Sequence, residues 1–115
     1  MPLFLKVGGF MFEINGIEWD IVFCRPNSDD LRRSDGSYTV GVSDFGTKCV
    51  YLSDLLSGAF LRRVFIHEVC HCAVFSYDIH IDIQQEEFLC DFVASFGDEI
   101  FSIVDDLFMV LKKIA

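Results

Sequence analysis

Positive charge is scarce in this chain of 115 residues: nine Lys and Arg stand against eighteen Asp and Glu, a formal net charge of -9. Nucleic acids are held by clustered Lys and Arg that neutralise phosphates and release counterions, so no nucleic-acid partner is expected. The same imbalance argues against an anionic membrane surface, and no apolar run reaches the roughly 18 residues needed to span a bilayer. Proline is limited to two residues while 52% of the chain is hydrophobic, which excludes a disordered composition and supports a packed core. A Cys-x-x-Cys pair is also missing. The five cysteines, Cys24, Cys49, Cys70, Cys72 and Cys90, form an odd set without paired spacing. The apolar start from Met1 to Phe12 lacks a small-residue cleavage signal, so the thiols are expected to be reduced in a cytoplasmic protein. Neither a Gly-rich phosphate loop nor a nucleophile elbow is present.

The length suits one domain, taken as residues 1–115. Phe10 to Ile14 and Ile17 to Phe23 are apolar, β-branched runs around Asn15-Gly16, a dipeptide that supplies the positive φ angles of a tight hairpin turn. Arg25 to Ser37 reads as a loop with one helical turn at Asp29 to Arg33. Tyr38 to Val42 and Lys48 to Leu52 form a second strand pair. Ser53 followed by Asp54 resembles a helix N-cap, placing the next helix there or just after Gly58. From Leu61 to Tyr77 apolar residues cover nearly the whole helical circumference, the mark of a buried helix. Gln85 to Phe96 shows a single apolar face, and Gly97 is expected to end or bend that helix. The tail puts Ile100, Ile103, Val104, Leu107, Phe108, Leu111 and Ile114 on one stripe, expected to close the core, with a dimer seam as the alternative. The fold class that follows is α+β, a small, mostly antiparallel sheet of about four strands followed by about three helices.

Chemistry concentrates in His67-Glu68-Val69-Cys70-His71. In a helix, residues four apart share a face, so His67 and His71 project side by side and Glu68 lies within reach of a water held between them. Neutral imidazoles ligate Zn²⁺ and a carboxylate takes a proton from the activated water. The pattern arises by chance in on the order of one in a few hundred chains of this length. Its setting sharpens it, because burying polar groups without partners costs roughly 2 to 7 kcal/mol each in an apolar medium, and a metal satisfies them. A catalytic zinc normally has a third protein ligand. Glu87 is the expected one, with Glu86 the alternative and His80 a further contender. Asp91, four residues past Glu87, can accept a hydrogen bond from the far nitrogen of a ligating imidazole. Tyr77 and His80 are candidate donors to a developing oxyanion.

These features together resemble the minimal gluzincins, small zinc peptidases near the ImmA/IrrE group that are often encoded by phages and mobile elements. The resemblance rests on Asn15-Gly16-Ile17-Glu18-Trp19 in a first hairpin, Lys48-Cys49-Val50-Tyr51-Leu52-Ser53 before the motif helix, His67-Glu68-Val69-Cys70-His71, and Glu86-Glu87-Phe88-Leu89 opening the next helix. It implies a zincin-like fold, bound zinc, hydrolysis of a protein or peptide substrate, and an edge strand, Lys48 to Ser53 or its hairpin partner, that pairs with extended substrate. Tyr77 stands where a metzincin would carry its third histidine, which excludes that pattern. Phe88-Leu89-Cys90-Asp91 replaces the family's alanine-rich continuation and leaves Glu86 and Glu87 both open. The alternative function is a zinc-binding but non-catalytic protein-binding module, and a monomer satisfies either reading.

Overall fold

The computed structural model describes residues 3–6 and 9–114; Met1, Pro2, Val7 and Gly8, part of the apolar start considered above, lie outside the described residues. Five strands form one mixed sheet: β1 (Leu3–Lys6), β2 (Gly9–Ile14), β3 (Ile17–Cys24), β4 (Gly41–Asp44) and β5 (Cys49–Ser53), in the order β1-β2-β3-β5-β4. Four of these correspond to the expected strands, and β1 is the addition. All neighbours are antiparallel except β3 and β5, which run parallel with Ile21 beside Val50. The β2–β3 turn is made by Asn15 and Gly16 at φ 50° and 79°, the positive φ angles that an Asn-Gly dipeptide readily adopts.

Alternation along the strands decides which face is covered. Phe12, Trp19, Ile21, Val50 and Leu52 point to one side and are almost fully buried beneath helix α1 (Gly58–Ser76), which contributes Cys72 to the same cluster. Trp19 is completely buried, and its indole N–H donates to Ser76 Oγ at 2.9 Å, so the sheet grips the end of α1. Asn15 Nδ2 donates to the Ser76 carbonyl at 3.0 Å and strengthens the same joint.

Ser53 does not cap α1. It closes β5, where its N–H donates to the Val40 carbonyl at 2.9 Å, and the helix begins at Gly58 after Ser57. The physical reason is sheet continuity: the ladder with β4 takes the Ser53 backbone before a helix can start.

The expected second and third helices are a single helix, α2 (Ile83–Ile114), so there are two long helices among the described residues rather than three. A glycine in a helix interior costs only about 1 kcal/mol relative to Ala, and at Gly97 the apolar spacing continues without a break from Cys90 and Val93 to Ile100 and Val104. Gly97 is buried, and a β-carbon there would lie 3.4 Å from Val93 Cγ1. At its other end α2 opens with a reciprocal cap: Gln85 N–H donates to Asp82 Oδ1 at 2.8 Å, and Asp82 N–H donates to Gln85 Oε1 at 3.3 Å.

The apolar circumference of α1 is explained by its position as the middle layer, with the sheet on one side and α2 on the other. The tail stripe does not close the core. Ile100, Val104, Leu107 and Leu111 are 43% to 57% exposed, because α1 starts at Gly58, one turn before Arg62, whose guanidinium pairs with Asp98 at 2.6 Å and 2.8 Å. Beyond that level α2 has no helix to lie against.

Candidate metal centre

Two helices bring the polar groups together. His67, Glu68 and His71 sit one turn apart on the middle of α1, and the first two turns of α2 carry Glu86, Glu87 and Asp91 across from them. The capped start at Asp82 sets the rotation of α2, and fully buried Cys90 and half-buried Ala94 let the helices approach closely.

His71 Nδ1 lies 2.5 Å from Glu86 Oε2, and His67 Nδ1 lies 2.8 Å from Asp91 Oδ1. An ionised carboxylate only accepts, so each Nδ1 carries the proton and each Nε2 presents a lone pair. Those two Nε2 atoms face each other at 3.1 Å. Glu87 completes the convergence, with one oxygen 3.0 Å from His71 Nε2 and the other 3.4 Å from His67 Nε2. Two neutral rings with their Nε2 lone pairs aimed at one another need a proton or a metal ion between them.

The donor spacing has room for a small tetrahedral cation. A tetrahedral ion 2.0 to 2.1 Å from each ligand holds its ligands about 3.3 to 3.4 Å apart, close to the separations here, and imidazole with carboxylate is a zinc donor set. Ligand atoms of His67, His71 and Glu87 all lie within 4.8 Å of one another, so the three form a group able to hold a metal ion. Glu86 is directed elsewhere: its carboxylate, 13% exposed against 48% for Glu87, is engaged with the far nitrogen of His71. Asp91 does the same for His67 and orients that ring.

Glu68 is buried and stands at the side of the cluster, Oε2 lying 3.9 Å from His67 Nε2. Ser43 on β4 holds it: the hydroxyl is 2.9 Å from Glu68 Oε1 and 3.0 Å from the Glu68 carbonyl, a single proton serving two acceptors, while Cys72 donates to Ser43 Oγ at 3.7 Å. Gly41, two residues earlier on the same face of β4, makes room for this contact. A β-carbon there would lie 2.8 Å from Val64 Cγ1 and 3.2 Å from Glu68 Cγ. Neither Ser43 nor Gly41 stands out in the sequence; a glycine inside a strand is the one available sign of close approach.

The cluster opens into a cleft of about 700 Å³ lined by β4 on one wall and by α1 and α2 on the other. Of the two strands considered for a sheet edge, β5 is internal and β4 is the edge. Tyr77 and His80 are not among the cleft's lining residues. Tyr77 caps the end of α1 with its side chain in solvent, and His80, 85% exposed, pairs with Asp78 at 3.1 Å. Their placement on the turn after α1 sets both outside the lining of the cleft.

Cys70 and Cys90 meet between the helices beside the site. The Cys90 thiol donates to Cys70 and, with His71 nearby, lowers the Cys70 thiol to about 7 against the cost of burial, while Cys90 is raised. Cys72 is pushed up to about 12, chiefly by burial. No protein-family model, curated protein or solved structure matches the chain.

Proposed function

We propose that the chain is a zinc-dependent endopeptidase of minimal gluzincin type. The observation that carries this reading is Glu68, a buried carboxylate fixed by Ser43 beside three converging metal donors and open to a cleft. Unlike Glu86 and Asp91, which engage the far nitrogens of the histidines, Glu68 orients no ligand and faces the cleft, where hydrolysis needs a carboxylate as general base.

His67, His71 and Glu87 would hold the zinc, which would supply Lewis-acid polarisation of a peptide carbonyl and acidification of a water. Glu68 accepts the proton of that water and returns it to the leaving amine. The hydrogen bond from Ser43 leaves Oε2 as the oxygen turned towards His67 and the cleft. Glu86 and Asp91 engage the opposite nitrogens and so turn the Nε2 atom of each neutral ring towards the ion. The free edge of β4, at Gly41 to Ser43, offers backbone groups to an extended substrate, so strand addition lays the peptide along the cleft. The substrate class is therefore an extended segment of a protein or peptide. Among the described residues no helix is long and apolar enough to cross a membrane.

Zinc-loaded chain and its Glu68→Gln variant are compared on a diverse peptide library by mass spectrometry. Cleavage by the native chain, absent from a variant that takes up zinc equally well, is the expected result. Stoichiometric zinc uptake with no cleavage by either protein contradicts hydrolysis and leaves a zinc-binding protein module.

A further inference from the structure

The apolar seam by which α2 packs on α1 does not stop where α1 stops. Glu86, Cys90, Val93 and Gly97 alternate at spacings of four and three and face α1. The same alternation continues through Ile100, Val104, Leu107, Leu111 and Ile114, all between 43% and 76% exposed. This is an unbroken heptad register in which the second half has no partner among the described residues. Phe101, Ile103, Phe108 and Val110 flank it and are also exposed, at 55% to 62%.

Nine large side chains at roughly half exposure, with about 200 Å² each, present on the order of 900 Å² of apolar surface. A typical monomer's largest apolar patch is about 300 to 600 Å², while each partner in a standard protein interface contributes about 800 Å². The patch is therefore of the size that a stable interface needs. A bilayer surface is a poor occupant. Interfacial helices carry Lys and Arg on the polar face, whereas this one carries Asp98, Glu99, Asp105 and Asp106 against Lys112 and Lys113, in a chain of net charge -9.

We propose that the exposed seam from Ile100 to Ile114 joins two copies of this chain as an antiparallel, two-fold helix pair. The position of α1 selects that arrangement. It covers the seam face of α2 as far as Gly97, so a second helix can lie only along the half beyond it. Antiparallel packing keeps the overlap within that half and brings Ile100 opposite the partner copy's Leu111 and Val104 opposite its Leu107. Asp98, Glu99, Asp105, Asp106, Lys112 and Lys113 sit away from the seam on the polar face. A parallel pair would instead drive the α1 helices of the two copies into the same space. A two-fold axis needs the same patch on both copies, and this patch is complementary to itself. The inference is independent of catalysis.

Sedimentation velocity of the full, zinc-loaded chain from about 1 to 100 μM tests it, a range in which an interface of this size self-associates. A dimer is expected, with Leu107→Glu and Leu111→Glu each raising its dissociation constant by about a hundredfold or more, since each places a charge at the centre of an apolar seam. Both sites are exposed in the single chain, so far-UV circular dichroism should be unchanged. A monomeric chain at 100 μM, or a dimer indifferent to Leu107→Glu, overturns the proposal. So does a monomer that binds phosphatidylcholine vesicles through the same leucines.

Discussion

Replacing Glu86 and Glu87 one at a time separates a ligand from the residue that orients a ligand. Glu87 places oxygens 3.0 Å and 3.4 Å from the two Nε2 atoms, whereas Glu86 reaches only the far side of His71, at 2.5 Å. Loss of such an orienting contact typically weakens metal binding 10- to 100-fold, about 1.4 to 2.7 kcal/mol, because the ring must then be held in place by the metal alone. Glu86→Gln and Asp91→Asn should each fall in that range. Glu87→Ala removes a donor and should exceed about 100-fold, the top of what orienting contacts reach. Competition between the protein and a chromophoric chelator gives each dissociation constant, with far-UV circular dichroism confirming that the variants fold. If Glu86→Gln abolishes zinc binding while Glu87→Ala leaves it within tenfold of the native chain, the assignment of the third donor is wrong.

The cleft wall gives a second prediction. Gly41→Ala forces a β-carbon to 2.8 Å from Val64 and 3.2 Å from Glu68, and should cost about 1 to 3 kcal/mol in urea unfolding, with cleavage falling further than zinc affinity because Glu68 is displaced. A stability equal to that of the native chain would show that β4 and α1 are not so closely packed. Thiol reactivity supplies the third: in zinc-free protein, alkylation of Cys70 should rise through about pH 7 as its thiolate forms, while Cys72, at about 12, stays inert until the chain unfolds. Cys90→Ala removes the donated S–H and should move the Cys70 midpoint upward, towards its ordinary value of 9.0. An unmoved midpoint would contradict the Cys70–Cys90 contact.

Local chemistry made much of this fold legible. Asn15-Gly16 announced the first hairpin, and the all-round apolar segment announced a helix between two layers. Glu87 and Asp91 were legible because a four-residue spacing puts both on one face of α2, and that face meets His67 and His71. What failed to show was long-range. The parallel pairing of β3 with β5 leaves no local mark, so the edge position of β4, and with it Ser43 and Gly41, emerges only when the strands are assembled. Gly97 misled in the opposite way, since a local helix-breaking tendency of about 1 kcal/mol is outweighed by a continuous apolar repeat. The tail stripe was correctly amphipathic, but an amphipathic pattern says that a face is covered and not by what.

X-ray absorption at the zinc edge of the stoichiometrically loaded full chain tests the metal centre most directly. One ion per chain is expected, with only nitrogen and oxygen neighbours at about 2.0 to 2.1 Å, including two imidazoles, and a signal unchanged by Cys70→Ala with Cys90→Ala. A sulfur shell at about 2.3 Å, or no stoichiometric zinc, would contradict it, because the cysteines or nothing at all would then hold the ion in place of His67, His71 and Glu87.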